Sequence, residues 1–129
     1  MAVRKIRINE DYYDNDTLYN LIKDLKTCNL PNTKRYYHNF HINYDNELEL
    51  KIVCNDIAGI LLTETDNNVT FSLQNYSDGV EASELENVLN QLSKIDLYKL
   101  SDIFDSICNI VHNEDIQQEE LNGLLEYNN

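Results

Sequence analysis

An α+β fold is what this sequence predicts: a small antiparallel sheet of three to four strands, with one N-terminal helix and two C-terminal helices packed on it. Three observations carry that expectation. Apolar and polar residues alternate over 36–44, 47–54 and 69–74, the period of strands that bury one face. Apolar residues recur at steps of three and four before Cys28 and after Ser83, the period of amphipathic helices. Short turns rich in Asn and Asp separate these runs, and helices that stand apart from an antiparallel sheet make an α+β domain.

The elements follow in order. In residues 3–9, Ile6 and Ile8 alternate with Lys5 and Arg7, which suits a short basic edge strand or an arm. Asp14, Asn15 or Asp16 can cap a helix by accepting hydrogen bonds from the free N–H groups of its first turn. Leu18, Leu21, Ile22 and Leu25 then mark a helix over 16–27, ended by Asn29-Leu30-Pro31-Asn32. Tyr36, His38, Phe40, Ile42 and Tyr44 form one face of a strand, with Asn39, His41 and Asn43 on the other. Asp45-Asn46 turns the chain into Leu48, Leu50, Ile52 and Cys54, which alternate with Glu47, Glu49 and Lys51. Residues 57–62 are apolar enough for a further strand. A turn over 65–68 leads to Val69, Phe71 and Leu73, alternating with Thr70, Ser72 and Gln74. Asn46, Asn67 and Asn68 fall at the hairpin tips, where Asn tolerates a left-handed backbone.

Beyond Asp78-Gly79 the helical period returns. Ser83 and Glu86 match an S-x-x-E capping box, with Leu85, Val88, Leu89, Leu92 and Ile95 on one stripe. Asp96 is placed to cap a third helix that buries Leu97, Leu100, Ile103, Phe104, Ile107 and Val111. Residues 1–113 thus make one α+β domain. Residues 114–129, with Ile116, Leu121, Leu124 and Leu125 among carboxylates, make an acidic C-terminal tail or a short helix.

Composition narrows the setting. Cys28, Cys54 and Cys108 are odd in number and dispersed, which fits buried thiols in a reducing cytosol rather than a disulfide framework. The N-terminal MAVRKIRINED lacks the apolar run of a signal peptide, and no stretch reaches the ~18 apolar residues of a membrane span. The expectation is a cytoplasmic protein with no membrane partner. Abundant Asn, Ile, Asp and Tyr match an AT-rich genome, such as that of a low-GC bacterium or its phage.

The motifs of catalysis are missing. His38 and His41 lie three apart on a strand and point to opposite faces, so they do not chelate one ion, and His112 and the cysteines have no ligand spacing. Asp102 with Asp105, and Glu81 with Glu84, have helical spacing, but on solvent faces that give no reason for shifted acidity. Gly59, Gly79 and Gly123 are isolated, and there is no nucleophile elbow, phosphate loop or dinucleotide fingerprint. Cys54 falls on an apolar face, where a thiol is inert. The sequence therefore predicts no catalytic residues, no metal and no cofactor.

Charge carries the functional expectation. The net charge is −13, and residues 36–129 hold eighteen acidic but only three basic side chains, Lys51, Lys94 and Lys99. Such a surface repels nucleic acid and attracts basic protein grooves, including those that hold nucleic acid. Asp45, Glu47 and Glu49 are expected along the outward face of a strand, about 6.6 Å apart at a ~3.3 Å rise per residue. That is about two axial steps of a nucleic-acid strand at ~3.4 Å each. Glu81, Glu84, Glu86, Asp102 and Asp105 add helical carboxylates, and Tyr76 and Tyr98 are candidate aromatic anchors. A solvated, merely solubilising surface is the plainer alternative.

Two further classes remain open. Arg4, Lys5, Arg7, Lys34 and Arg35 with Tyr36 and Tyr37 combine cations and rings in the manner of single-stranded nucleic-acid sites. The same rings can instead fill the core while Lys34 and Arg35 pair with the chain's own carboxylates. An oligomer or assembly protein, such as a homodimer pairing through the apolar positions of 116–125, is the other class.

In size, acidity, composition and element order (helix over 16–27, strands over 36–76, helices over 83–95 and 96–112), the chain resembles the small acidic phage proteins that inhibit CRISPR nucleases, some of which imitate DNA. The resemblance implies a cytoplasmic, non-enzymatic inhibitor that sets carboxylates into the basic groove of a nucleic-acid-handling host protein.

Overall fold

A computed structural model of the chain describes the backbone of residues 6–8, 11–13, 16–31, 35–66 and 68–128, and the side chains of 16–31, 35–66 and 68–126. The expected α+β architecture is present. Two short strands, β1 (Ile6–Ile8) and β2 (Asp11–Tyr13), pair antiparallel with each other. Helix α1 (Asp16–Asp24) follows and tightens into a 3₁₀ turn, Leu25–Cys28, so the first helix is α-helical only up to Asp24. Asn29 then leaves the turn in the left-handed conformation.

The sheet is a four-stranded meander, β3 (Tyr36–Ile42), β4 (Leu48–Cys54), β5 (Ala58–Thr65) and β6 (Asn68–Asn75), in spatial order β3-β4-β5-β6. The register pairs Phe40 with Leu50, Leu50 with Leu62, and Leu62 with Phe71, so these residues share one face. That face holds Phe40, Leu48, Leu50, Ile52, Cys54, Ala58 and Leu62 in the core. The opposite face is largely open, with Tyr37, Asn39, His41, Thr70 and Ser72 exposed.

Turn chemistry explains the meander. Asn55 and Asp56 have φ of 55° and 57°, and Ile57 N–H donates to Cys54 O at 3.1 Å. Asn55 and Asp56 are thus the central residues of a turn of the primed type, and with Ile57 they make the three-residue link from β4 to β5. Asn46 takes the left-handed position between β3 and β4, as its residue type suggests, and Asp66 does so between β5 and β6. Of the other two expected tip residues, Asn68 instead opens β6, paired with Thr65, and Asn67 lies outside the described residues.

Three helices follow the sheet: α2 (Ala82–Ser93), α3 (Leu97–Glu114) and α4 (Gln118–Asn128). Helix α2 lies against β4 and β5, α3 against β5 and β6, α4 against β3, and α1 against α3 and α4. The capping box expected at Ser83 and Glu86 does not form. Leu85 N–H donates to Glu81 O at 3.1 Å, so Glu81 is the N-cap and Ser83 lies inside the first turn. Asp96 caps α3 as expected, its carboxylate accepting from Lys99 N–H at 3.1 Å. Leu89 and Leu97 are 39% and 41% exposed, because α2 is buried through Val88 and Leu92 while Leu97 opens α3 ahead of its buried side.

Of the two forms expected for the terminal stretch, helix is the one adopted. Ile116, Leu121, Leu124 and Leu125 are buried in the common core, so the apolar positions considered for pairing with a second copy are used within the molecule. Gln118 and Asn122, one turn apart on α4, serve the outer edge of β3. Asn122 Oδ1 accepts from Phe40 N–H at 2.8 Å and Asn122 Nδ2 donates to Phe40 O at 3.1 Å, while Gln118 Oε1 accepts from Ile42 N–H at 2.7 Å. Side-chain amides thus satisfy backbone groups that an edge strand leaves unpaired. Among the described residues, no helix is long and apolar enough to cross a membrane.

Candidate functional site

The carboxylates expected in a line on one strand are not presented that way. Asp45 is exposed in the β3–β4 turn, Glu47 precedes β4, and only Glu49 lies in the strand. Asn43 gathers them. Its Oδ1 accepts from the N–H groups of Asp45 and Glu47, both at 3.0 Å, and its Nδ2 donates to Glu47 Oε1 at 3.1 Å and Glu49 Oε2 at 3.2 Å. Thr63 Oγ1 also donates to Glu49 at 3.4 Å. Glu47 and Glu49 are half-buried and hold the turn, which diverts them from an external cation.

The helical carboxylates are presented outward. Glu81 caps α2 and Glu84 and Glu86 lie in its first turns; all three are exposed, as is Asp102 on α3. Asp105 is half-buried beside Cys108. Among the described residues, none of these five forms an ion pair. Glu81 and Glu84 also sit at the positive end of α2, where the helix itself favours their charge. Tyr98 is 89% exposed in the first turn of α3, whereas Tyr76 lies beneath Lys51, whose Nζ is 4.7 Å from the ring centroid.

The basic–aromatic alternative is dispersed where the structure describes it. Arg35 Nη2 donates to Asn55 O at 2.6 Å and lies 3.4 Å from Asp56 Oδ2, so the β4–β5 turn neutralises it. Tyr36 and Tyr37 point to opposite faces of β3. Tyr36 is packed against the core with its hydroxyl buried and unpartnered among the described residues, and burial pushes its pKa well above the ordinary phenol value. Tyr37 alone is exposed, on the open face. Arg4, Lys5 and Lys34 lie outside the described residues, as does the side chain of Arg7 in β1.

Sequence reasoning overlooked one polar cluster, at the junction of β5 and α3. Glu64 Oε1 lies 2.5 Å from His112 Nε2, and the Cys108 thiol hydrogen-bonds the same carboxylate. Burial first, then the Glu64 charge, pushes the Cys108 thiol well above its ordinary value. A carboxylate between thiol and imidazole suppresses the thiolate, so this trio pins strand to helix and is not arranged as a nucleophile and its base. The alternation of β5 puts Glu64 on the core side with Ile60 and Leu62, a charged residue in an apolar row, which is the signal that marks it. No metal-binding group of three His, Cys, Asp or Glu occurs among the described residues.

His38 is the second buried polar group. It packs on the core side of β3 with its ring centroid 5.3 Å from that of Tyr36. Burial, with a smaller contribution from the Lys26 charge, lowers its pKa to about 4. The imidazole therefore stays neutral in the fold, while the unfolded chain takes up a proton near pH ~6.5. The resulting stability is complete above that pH and is lost as pH falls through about 4. The whole window is worth about 3 kcal/mol. Urea midpoints at pH 7 and 4.5 should fall further for the unmodified chain than for His38→Gln; equal falls would remove this assignment. Comparison with protein-family models, curated proteins and solved structures returned no match to this chain.

Proposed function

We propose that this protein is a non-enzymatic inhibitor that binds another protein through the acidic surface of α2 and α3. The partner is a basic protein of the bacterial cytoplasm that handles nucleic acid, such as a CRISPR nuclease, and the bound surface is its nucleic-acid groove. One observation carries the reading: Glu81, Glu84, Glu86 and Asp102 are exposed and, among the described residues, form no ion pair, in a chain of net charge −13. Carboxylates without internal partners present the charge that Arg and Lys of such a groove otherwise meet in phosphates. Asp105 adds to the charge of α3, Asp45 stands apart in the β3–β4 turn, and Tyr98 supplies an exposed ring suited to an interface core. Glu47 and Glu49, held by Asn43, have a structural part instead.

Affinity capture tests this with the full chain and with a triple charge reversal, Glu81→Lys, Glu84→Lys and Glu86→Lys. At about 50 mM salt the unmodified chain should retain a basic nucleic-acid-handling protein, and raising salt to about 0.5 M should release it, because screening shortens the reach of each charge. The reversal should lower retention by at least about tenfold, the equivalent of ~1.4 kcal/mol. Retention that is indifferent to salt or to the reversal would sink the proposal, as would the absence of any retained protein.

A further inference from the structure

The two edges of the sheet are finished differently. β3 is covered by the amides of Asn122 and Gln118, but among the described residues nothing pairs with the outer edge of β6. Tyr76 N–H donates to Ile57 O at 2.9 Å, which puts the even-numbered residues of β6 in the ladder with β5. The N–H and C=O groups of Val69, Phe71, Leu73 and Asn75 consequently point away from the sheet, and among the described residues they have no hydrogen-bond partner. The usual protections of an edge are missing, since β6 contains no Pro, Gly or Lys. Phe71 and Leu73, on the core side, are 39% and 61% exposed. No Asp, Glu, Lys or Arg occurs between Asp66 and Asp78, the longest uncharged stretch of the chain.

We propose that β6 is the seam of a homodimer, pairing antiparallel with β6 of a second copy about a two-fold axis through Ser72. Charge selects this occupant. A partner drawn to the acidic helices is basic, and a basic strand finds no carboxylate on β6 to pair with. A second β6 is equally neutral and brings no carboxylate of its own into the seam. Parity selects the register. The outward groups belong to odd-numbered residues, and an axis at Ser72 pairs Val69 with Asn75 and Phe71 with Leu73 across the copies, each pair exchanging both bonds. An axis at Phe71 or Leu73 would leave an end pair unbonded.

The pairing is self-complementary, as a two-fold interface requires. On the core side, Phe71 meets Leu73 twice, an aromatic–aliphatic cross-strand pair that continues the row formed by Leu62 and Phe71. On the open face, Ser72 meets its own counterpart at a non-hydrogen-bonded position, where Cα atoms approach to about 4.5 Å. The seam does not depend on the acidic surface of α2 and α3, so either proposal can fail without the other.

Cross-linking of the full chain tests the seam. Ser72 is exposed and the three native cysteines are buried, so Ser72→Cys adds the one exposed thiol among the described residues. In about 0.15–0.5 M salt, which screens repulsion between copies, S72C should oxidise to a disulfide-linked dimer. It should do so at least about tenfold faster than Gln74→Cys, whose opposite number is Thr70, because a disulfide needs its Cα atoms within ~7 Å. Light scattering of the unmodified chain should rise from monomer to dimer mass with concentration. Ser72→Asp, which sets two carboxylates across the axis, should return it to monomer. A monomer at every concentration up to about 1 mM overturns the proposal and leaves the edge to a strand of an unlike protein. S72C cross-linking no faster than Q74C, or a dimer that S72D leaves intact, overturns it equally.

Discussion

Ending the chain at Asp115 should abolish its cooperative unfolding transition. The removed segment carries Ile116, Leu121, Leu124 and Leu125, which are 2%, 0%, 0% and 4% exposed. At about 1.5–3 kcal/mol for each buried side chain, their loss is worth roughly 6–12 kcal/mol. Whole domains of this size are stable by only about 5–15 kcal/mol. Deletion also strips the amides of Gln118 and Asn122 from the edge of β3, leaving Phe40 and Ile42 with bare backbone groups beside an exposed core. Circular dichroism during urea titration checks this. The full chain should give one sigmoidal transition and the shortened chain a shallow, featureless decline with a tendency to aggregate. A truncated protein that unfolds cooperatively with a nearly unchanged midpoint would show that α4 is dispensable.

Gly59→Ala should be the most damaging single-methyl change in the sheet. Gly59 sits in β5 opposite Val53, and a Cβ built on it would lie 2.0 Å from the carbonyl oxygen of Ile52 and 3.1 Å from the Cα of Val53. Both neighbours are backbone of β4, so no side chain can swing aside; the strands must part or shift. The expected cost is about 3 kcal/mol or more, the upper range for overpacking a buried site. Gly79 supplies the contrast. It has φ of +71° with open space around it, so Gly79→Ala meets conformational strain but no collision, and about 1 kcal/mol is expected. Urea midpoints of the two variants decide the matter. If G59A is no worse than G79A, close approach of β4 and β5 is not what requires glycine at 59.

These expectations divide according to how far apart the interacting residues lie along the chain. The alternation from Tyr36 to Cys54, the stripe through Leu100, Phe104, Ile107 and Val111, and the Asp96 cap are all readable from the chain, because each depends on neighbours a few residues away. The left-handed Asn46 is readable for the same reason. The Asn55-Asp56 turn was equally local, yet its signal is muted because Asp stands where Gly is usual in a primed turn. The start of α2 differed from expectation by two residues, since the backbone bond from Leu85 to Glu81 closes the first turn without help from Ser83.

Fates of the polar groups divide differently. Net charge and its concentration beyond Tyr36 follow from composition alone, but which carboxylates remain unpaired does not. Asn43 turns Glu47 and Glu49 into braces of a hairpin, Asp56 neutralises Arg35 across two strands, and Glu64 is drawn to His112 and Cys108. The covering of β3 by Asn122 joins residues 82 positions apart. Local periodicity is set by the steric geometry of a single strand or helix, which every residue carries with it. Edge protection, ion pairing and the close passage of Gly59 past Ile52 arise only once register and helix placement bring distant segments within a few ångströms, and side-chain type alone holds no record of that approach.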